Sequence, residues 1–180
     1  MAPRSTPTPP LSVTDISKYQ DAVLENVRAL ITEAELLCVH SHFARSFFLS
    51  IISVEETSKV LMLIECAKRI NAGENQDWPK VHEILNNHPA KLKANLMLYR
   101  SRRLGGMPPV GGGEYKDALE RVAEMNLLKQ AALYVWIGEG GPLTTTEHIS
   151  EDDKAVTAIQ LAKVSLHEVE SVLATFRTGV

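Results

Sequence analysis

Apolar positions recur at steps of three and four along most of this chain. From about Thr14 to Val39, the series Ile16, Tyr19, Val23, Val27, Leu30, Ala34 and Leu37 forms one stripe of an α-helix, with Ser12 or Thr14 as its cap. A break at His40-Ser41-His42 leads into a second helix that runs to about Ile70. It stops at Asn71-Ala72-Gly73, where the glycine suits a left-handed cap. This second helix reads as apolar nearly all round, the pattern of a central helix touched on several sides. Trp78-Pro79 opens a short helical segment, Lys80 to Asn87, which His88-Pro89 should end because the residue before a proline is pushed from helical angles. Pro89 suits the first position of a further helix, Ala90 to about Arg103. Glu114 to Trp136 is helical by pattern, and Ser150 followed by three acids opens a last helix to about Phe176. GGMPPVGGG (105–113) and a loop with Gly138, Gly140, Gly141 and Pro142 connect these segments. No strand pattern exceeds three residues and no internal repeat occurs, so the fold class is all-α, a bundle of four to five main helices.

At 180 residues the chain holds one domain, residues 13–180, behind a Pro-rich tail at 1–12 (MAPRSTPTPPLS) that reads as disordered. With 19 basic and 22 acidic residues the net charge is −3, which excludes recruitment of nucleic acid by a global basic field. Any RNA contact has to be local. Cys38 and Cys66 both lie in apolar helical stretches and read as inert, reduced thiols of a cytoplasmic protein. Nothing at the N-terminus resembles a secretory signal, and the apolar run from Leu49 to Met62 is broken by Glu55, Glu56 and Lys59, so no membrane span or membrane partner is expected.

Those three charges are the first candidates for chemistry. In FFLSIISVEETSKVLMLIECA (47–67), adjacent Glu55 and Glu56 point about 100° apart on a helix, so only one of them can face a given neighbour. Glu55 and Lys59 could pair at i,i+4 on the surface, worth about 0.3–0.5 kcal/mol. Alternatively one carboxylate looks into the bundle, where losing a partner would cost about 3–5 kcal/mol. The pattern leaves open which one. A second polar knot is Asn86-Asn87-His88-Pro89-Ala90-Lys91-Leu92-Lys93. His88 there is either an acid or base or a helix cap. Lys91 sits in a first helical turn, the wrong end for a cation, which a nearby carboxylate or an anionic ligand would explain. In Lys129-Gln130-Ala131-Ala132-Leu133-Tyr134, Lys129 and Tyr134 could add a charge and a phenol to the same cluster; otherwise they are a surface lysine and a core tyrosine. No Glu-x-x-His pair, no metal-ligand spacing and no phosphate loop occur, so neither a metal nor another cofactor is expected.

The blocks SFFLSIISVEETSK (46–59), HPAKLK (88–93) and KQAALYV (129–135), in this order, resemble the AbiV-type abortive-infection proteins of bacteria, a branch of the HEPN-like helical superfamily. The resemblance spans roughly residues 20–170. It implies a HEPN-like bundle in which Glu55, Glu56, Lys59, His88 and Lys91 form the candidate catalytic cluster, with Lys129 and Tyr134 secondary. Two departures stand out. The acid that often ends the third block is Trp136, and no arginine is followed by a histidine after four to six residues, the RNase signature of the wider superfamily.

The function this implies is a phage-defence effector or toxin acting on RNA or the translation machinery, possible as a metal-independent ribonuclease only through a different residue set. His88 would be the acid or base, Lys59 and Lys91 the electrostatic partners, and Glu55 or Glu56 the orienting carboxylate. A homodimer is implied as well, with the cluster at or near a shared cleft. Lys93, Arg100, Arg102 and Arg103, with Tyr99 among them, would contact RNA. The alternative is a non-catalytic helical binding module for a phage or host protein, favoured by the missing signature and the acidic net charge.

Overall fold

The computed structural model describes residues 10–104, 113–134, 136–137, 143–144 and 152–179. Six helices occur among them: α1 (Val13–Val39), α2 (Phe43–Asn71), α3 (Trp78–Asn86), α4 (His88–Leu104), α5 (Gly113–Ala131) and α6 (Asp152–Thr178). Five are long and α3 is a short brace, so the all-α bundle read from the sequence stands. The glycine-rich run at 105–112, the proline-rich residues 1–9 and Ser150 lie outside the described residues.

Local chemistry explains the helix ends. Ser12 caps α1 in a reciprocal box: its hydroxyl accepts from Asp15 N–H while Asp15 accepts from the Ser12 backbone. Ser41 takes a left-handed φ of 61°, which lets His42 N–H reach back 2.8 Å to Leu37 O and turns the chain into α2. Gly73, at φ 77°, closes α2 in the way its position suggested. Asn87, not His88, caps α4: its Oδ1 accepts from Ala90 N–H at 3.0 Å and its carbonyl from Lys91 N–H at 3.1 Å. The helix therefore begins at His88, two residues before the expected Ala90, and His88 is not a cap.

Two expectations need larger correction. The fifth helix was expected to reach Trp136 but ends at Ala131. Beyond it the chain carries Tyr134, Val135, Trp136 and Ile137, aromatic and β-branched residues that suit extended backbone. Trp136–Ile137 (β1) pairs antiparallel with Leu143–Thr144 (β2), Trp136 opposite Thr144. The central helix is also not apolar all round. Ser46, Ser50, Ser53, Thr57 and Ser58 of α2 are wholly buried beside Ile51, Val54, Val60 and Leu63. Each hydroxyl is satisfied by a backbone carbonyl. Ser46 donates across to Ala34 O of α1 at 2.7 Å, and the others donate three or four residues back along α2. Buried small side chains let helices approach closely, and α6 offers a matching series, Ala155, Ala158, Ala162 and Ser165.

α2 packs against α1, α6, α4 and α5, so it is the centre of the bundle. The main core joins Val27 and Ile31 of α1, Ile51 and Val60 of α2, Leu92 of α4, Val122 of α5 and Val169 of α6. A smaller core around Leu63, Cys66, Trp78 and Leu85 seats α3. Helices α1 and α6 run antiparallel and carry three ion pairs one heptad apart: Asp21–Arg177 (2.8 Å), Arg28–Glu170 (2.5 Å) and Glu35–Lys163 (2.5 Å). Signs alternate along each helix, so slipping by seven residues would set like charges opposite one another. Each exposed pair is worth about 0–1 kcal/mol, so the device selects register more than it adds stability.

A double-mutant cycle on Arg28 and Glu170, read by urea denaturation, should return a coupling of about 0.5 kcal/mol that fades in high salt. The Ser12 hydrogen bonds, side-chain first and backbone next, hold the Asp15 carboxyl below its ordinary 3.8. A lowered carboxyl gives stability that is present above the ordinary value and lost as pH falls through the folded one. The melting-temperature gap between wild type and Asp15→Asn should thus be open near neutral pH and close as the pH falls below the carboxyl's ordinary 3.8 and through its lowered folded value.

Candidate functional site

The site is built on the phase of α2. Glu55 turns inward and has no exposure, while Glu56, one residue on, lies at the cluster's edge with 16% of its side chain exposed. Glu55 is therefore the inward carboxylate. Two other helices supply its partners. Lys129 of α5 donates to Oε1 at 2.5 Å, and His88 of α4 meets Oε2 through Nδ1 at 2.5 Å. Lys91, also of α4, stands 3.8 Å from Oε2 and donates to Glu56 Oε1 at 3.3 Å, so it bridges the two carboxylates. Lys59 pairs with Glu56 at 2.8 Å, not with Glu55 as the surface i,i+4 pairing had it.

Burial is graded across the cluster. Lys91 and Lys129 are almost fully enclosed, with 4% and 7% of their side chains exposed, whereas Lys59 retains 15% and His88 54%. Removing such ions from water costs several kcal/mol each, which only close opposite charges and hydrogen bonds can offset. Here both Glu55 oxygens are occupied. Three ammonium groups face two carboxylates, so with a neutral imidazole the cluster carries one excess positive charge. A carboxylate can only accept, so Nδ1 of His88 carries the proton in the His88–Glu55 bond. In the neutral ring that leaves Nε2 as a lone-pair nitrogen on the half-exposed side chain. Among the described residues no three His, Cys, Asp or Glu side chains come together as a metal site.

The remaining candidates fall elsewhere. Tyr134 does not join the cluster: α5 ends three residues before it, and its side chain is exposed. Lys93 lies on another face of α4, in the wall of a cavity with Leu61, Met62 and Met97. Arg100, Arg102 and Arg103 lie on α4, but their side chains, like that of Tyr99, are outside the described residues. Reading the sequence did not single out Asn95 of α4, which is buried and accepts from Ser165 of α6 at 3.0 Å. Its heptad step from His88 was the available signal. Burial pushes the Cys66 thiol upward, against a smaller pull from Arg69, in keeping with an inert cysteine.

Helices, cluster and motif order meet in one comparison: the AbiV profile of the HEPN group matches residues 15–167. The chain belongs to the AbiV family. Every member of the charged cluster, from Glu55 to Lys129, falls inside the matched span. No curated protein and no solved structure matches the chain. The AbiV-family assignment covers the whole bundle up to the middle of α6, so the cluster is part of the family domain and not an appendage to it. Among the described residues no helix is long and apolar enough to cross a membrane.

Lys129→Met leaves one oxygen of a buried carboxylate without its partner and should cost about 3–5 kcal/mol in urea denaturation, far more than Lys59→Met at the cluster's edge.

Proposed function

We propose that this AbiV-family protein is a cytoplasmic abortive-infection effector that acts on RNA or the translation machinery, with His88 as the acid–base group of a metal-independent ribonuclease centre. One observation carries the reading: a half-exposed imidazole anchored through Nδ1 to a wholly buried carboxylate, Glu55. That arrangement fixes the ring and its tautomer and leaves Nε2 with the lone pair that a general base needs. The base would take the proton of a ribose 2′-hydroxyl as that oxygen attacks the adjacent phosphorus. A 2′,3′-cyclic phosphate would form, and the 5′-oxygen would leave with a proton from a second acid. Lys59 and the cluster's excess positive charge would steady the phosphorane. Glu55, Lys91 and Lys129 act through His88 and Lys59, so they are positioning residues. A homodimer with the cluster near a shared cleft would bring in a second imidazole to serve as the acid.

A second reading, a binding module for a phage or host protein, is favoured by α5. Leu119, Leu127, Leu133 and Tyr134 expose apolar surface at its outer side and end.

Purified protein should cleave total RNA or tRNA in EDTA. His88→Ala should lower the rate by about 10²–10⁴-fold with an unchanged circular dichroism spectrum. Glu55→Gln should lose activity together with stability. Wild-type protein that leaves both RNAs intact would transfer the proposal to the binding module.

A further inference from the structure

Helix α4 has two working faces. His88 and Lys91 meet the charged cluster, while Ala90, Lys93, Ala94 and Met97, at steps of three and four, line a cavity of about 860 Å³ shared with α2 and α3. Its size falls in the range of small-molecule sites, about 300–1,000 Å³. The deep wall is aliphatic and sulfur-bearing: Met62, Cys66, Val81, Leu85 and Met97. Among the described residues no aromatic ring lines it, which disfavours a stacked nucleobase and favours a flexible alkyl chain, to which methionine side chains adapt.

Among the described residues the same lining holds Lys68, Arg69 and Lys93 together with one acid, Glu65. Arg69 meets Glu65 at 3.3 Å in a pair with more than half of each side chain in solvent, a weak contact that an incoming anion can exchange with. A second, independent feature is Gln76. Its amide nitrogen is buried without a hydrogen-bond partner among the described residues, a donor in the cavity wall that needs an acceptor.

We propose that this cavity binds a single-chain amphiphile with an anionic head: the alkyl chain lies along Met62, Cys66, Leu85 and Met97, and the head meets Arg69, Lys68 and Gln76. The site is separate from the cluster at His88 and does not depend on RNA cleavage.

Dodecanoate is the probe. Titrated calorimetrically into the full chain below its micelle concentration, it should bind at one site per chain, and dodecanol, which lacks the charge, should bind at least about tenfold weaker. Ala94→Trp, which fills the cavity, should weaken dodecanoate by at least about tenfold while the helical spectrum is retained. Arg69→Glu, an exposed change that leaves the fold intact, should weaken it several-fold and covers the case in which the tryptophan variant does not fold. Absence of saturable binding, or unchanged affinity in Arg69→Glu or in folded Ala94→Trp, would overturn the proposal. So would a concentration-dependent dimer, broken by Arg69→Glu and indifferent to dodecanoate, since a second copy would then be the occupant.

Discussion

A wholly buried carboxylate, Glu55, is the constraint on which the rest of the structure depends. An ion in the middle of a central helix is tolerable only where opposite charges reach it from other elements. Lys129 reaches it from α5, and His88 and Lys91 reach it from α4. These partners lie 33 to 74 residues away along the chain. The cluster therefore fixes where the start of α4 and the end of α5 meet α2. It also accounts for Lys91 in a first helical turn: the positive helix end that should repel an ammonium is outweighed by two carboxylates within 4 Å.

The central helix solves a packing problem with the same economy. A helix with neighbours on several sides needs small side chains, and serine supplies them if its hydroxyl can be satisfied. The carbonyls of the helix itself do that. Reading by hydropathy sees the leucines, isoleucines and phenylalanines and passes over serine, so the helix looked uniformly apolar. Its central position was legible all the same, because the absence of a charged face is what decides that. The inward choice between Glu55 and Glu56 was not legible, since one residue of phase separates them and no local pattern sets it.

Elsewhere, legibility followed the range of the interaction. Caps and stops written in adjacent residues, such as Ser12 with Asp15 and the glycine after α2, could be read directly. The end of α5 could not: Leu133 to Ile137 continues an apolar pattern that fits either state, and the pairing of Trp136 with Thr144 decides it. With that shift Tyr134 left the cluster and Lys129, which had seemed the lesser candidate, became one of its two closest partners. The α1–α6 ladder is the extreme case. Asp21, Arg28 and Glu35 stand seven apart in plain view, yet their partners lie 128 to 156 residues away along the chain, and nothing local names them.

Burial then assigns roles within the cluster. A group that handles substrate has to be reached, and a group that orients another has to be held still. Glu55, Lys91 and Lys129 are enclosed and engaged with one another, the burial that an orienting role in the proposed centre calls for. His88 has the opposite profile, one ring nitrogen held by Glu55 and half of its side chain in solvent. Any chemistry at this site has to pass through that ring or through Lys59 and Glu56 at the edge. The excess positive charge beside it favours an anion over a cation as the visitor, even though the chain as a whole is acidic. A net charge of −3 therefore does not argue against a phosphate-bearing substrate, because the field at the His88 edge follows the cluster's one excess positive charge, three lysines against two carboxylates, more than the global sum.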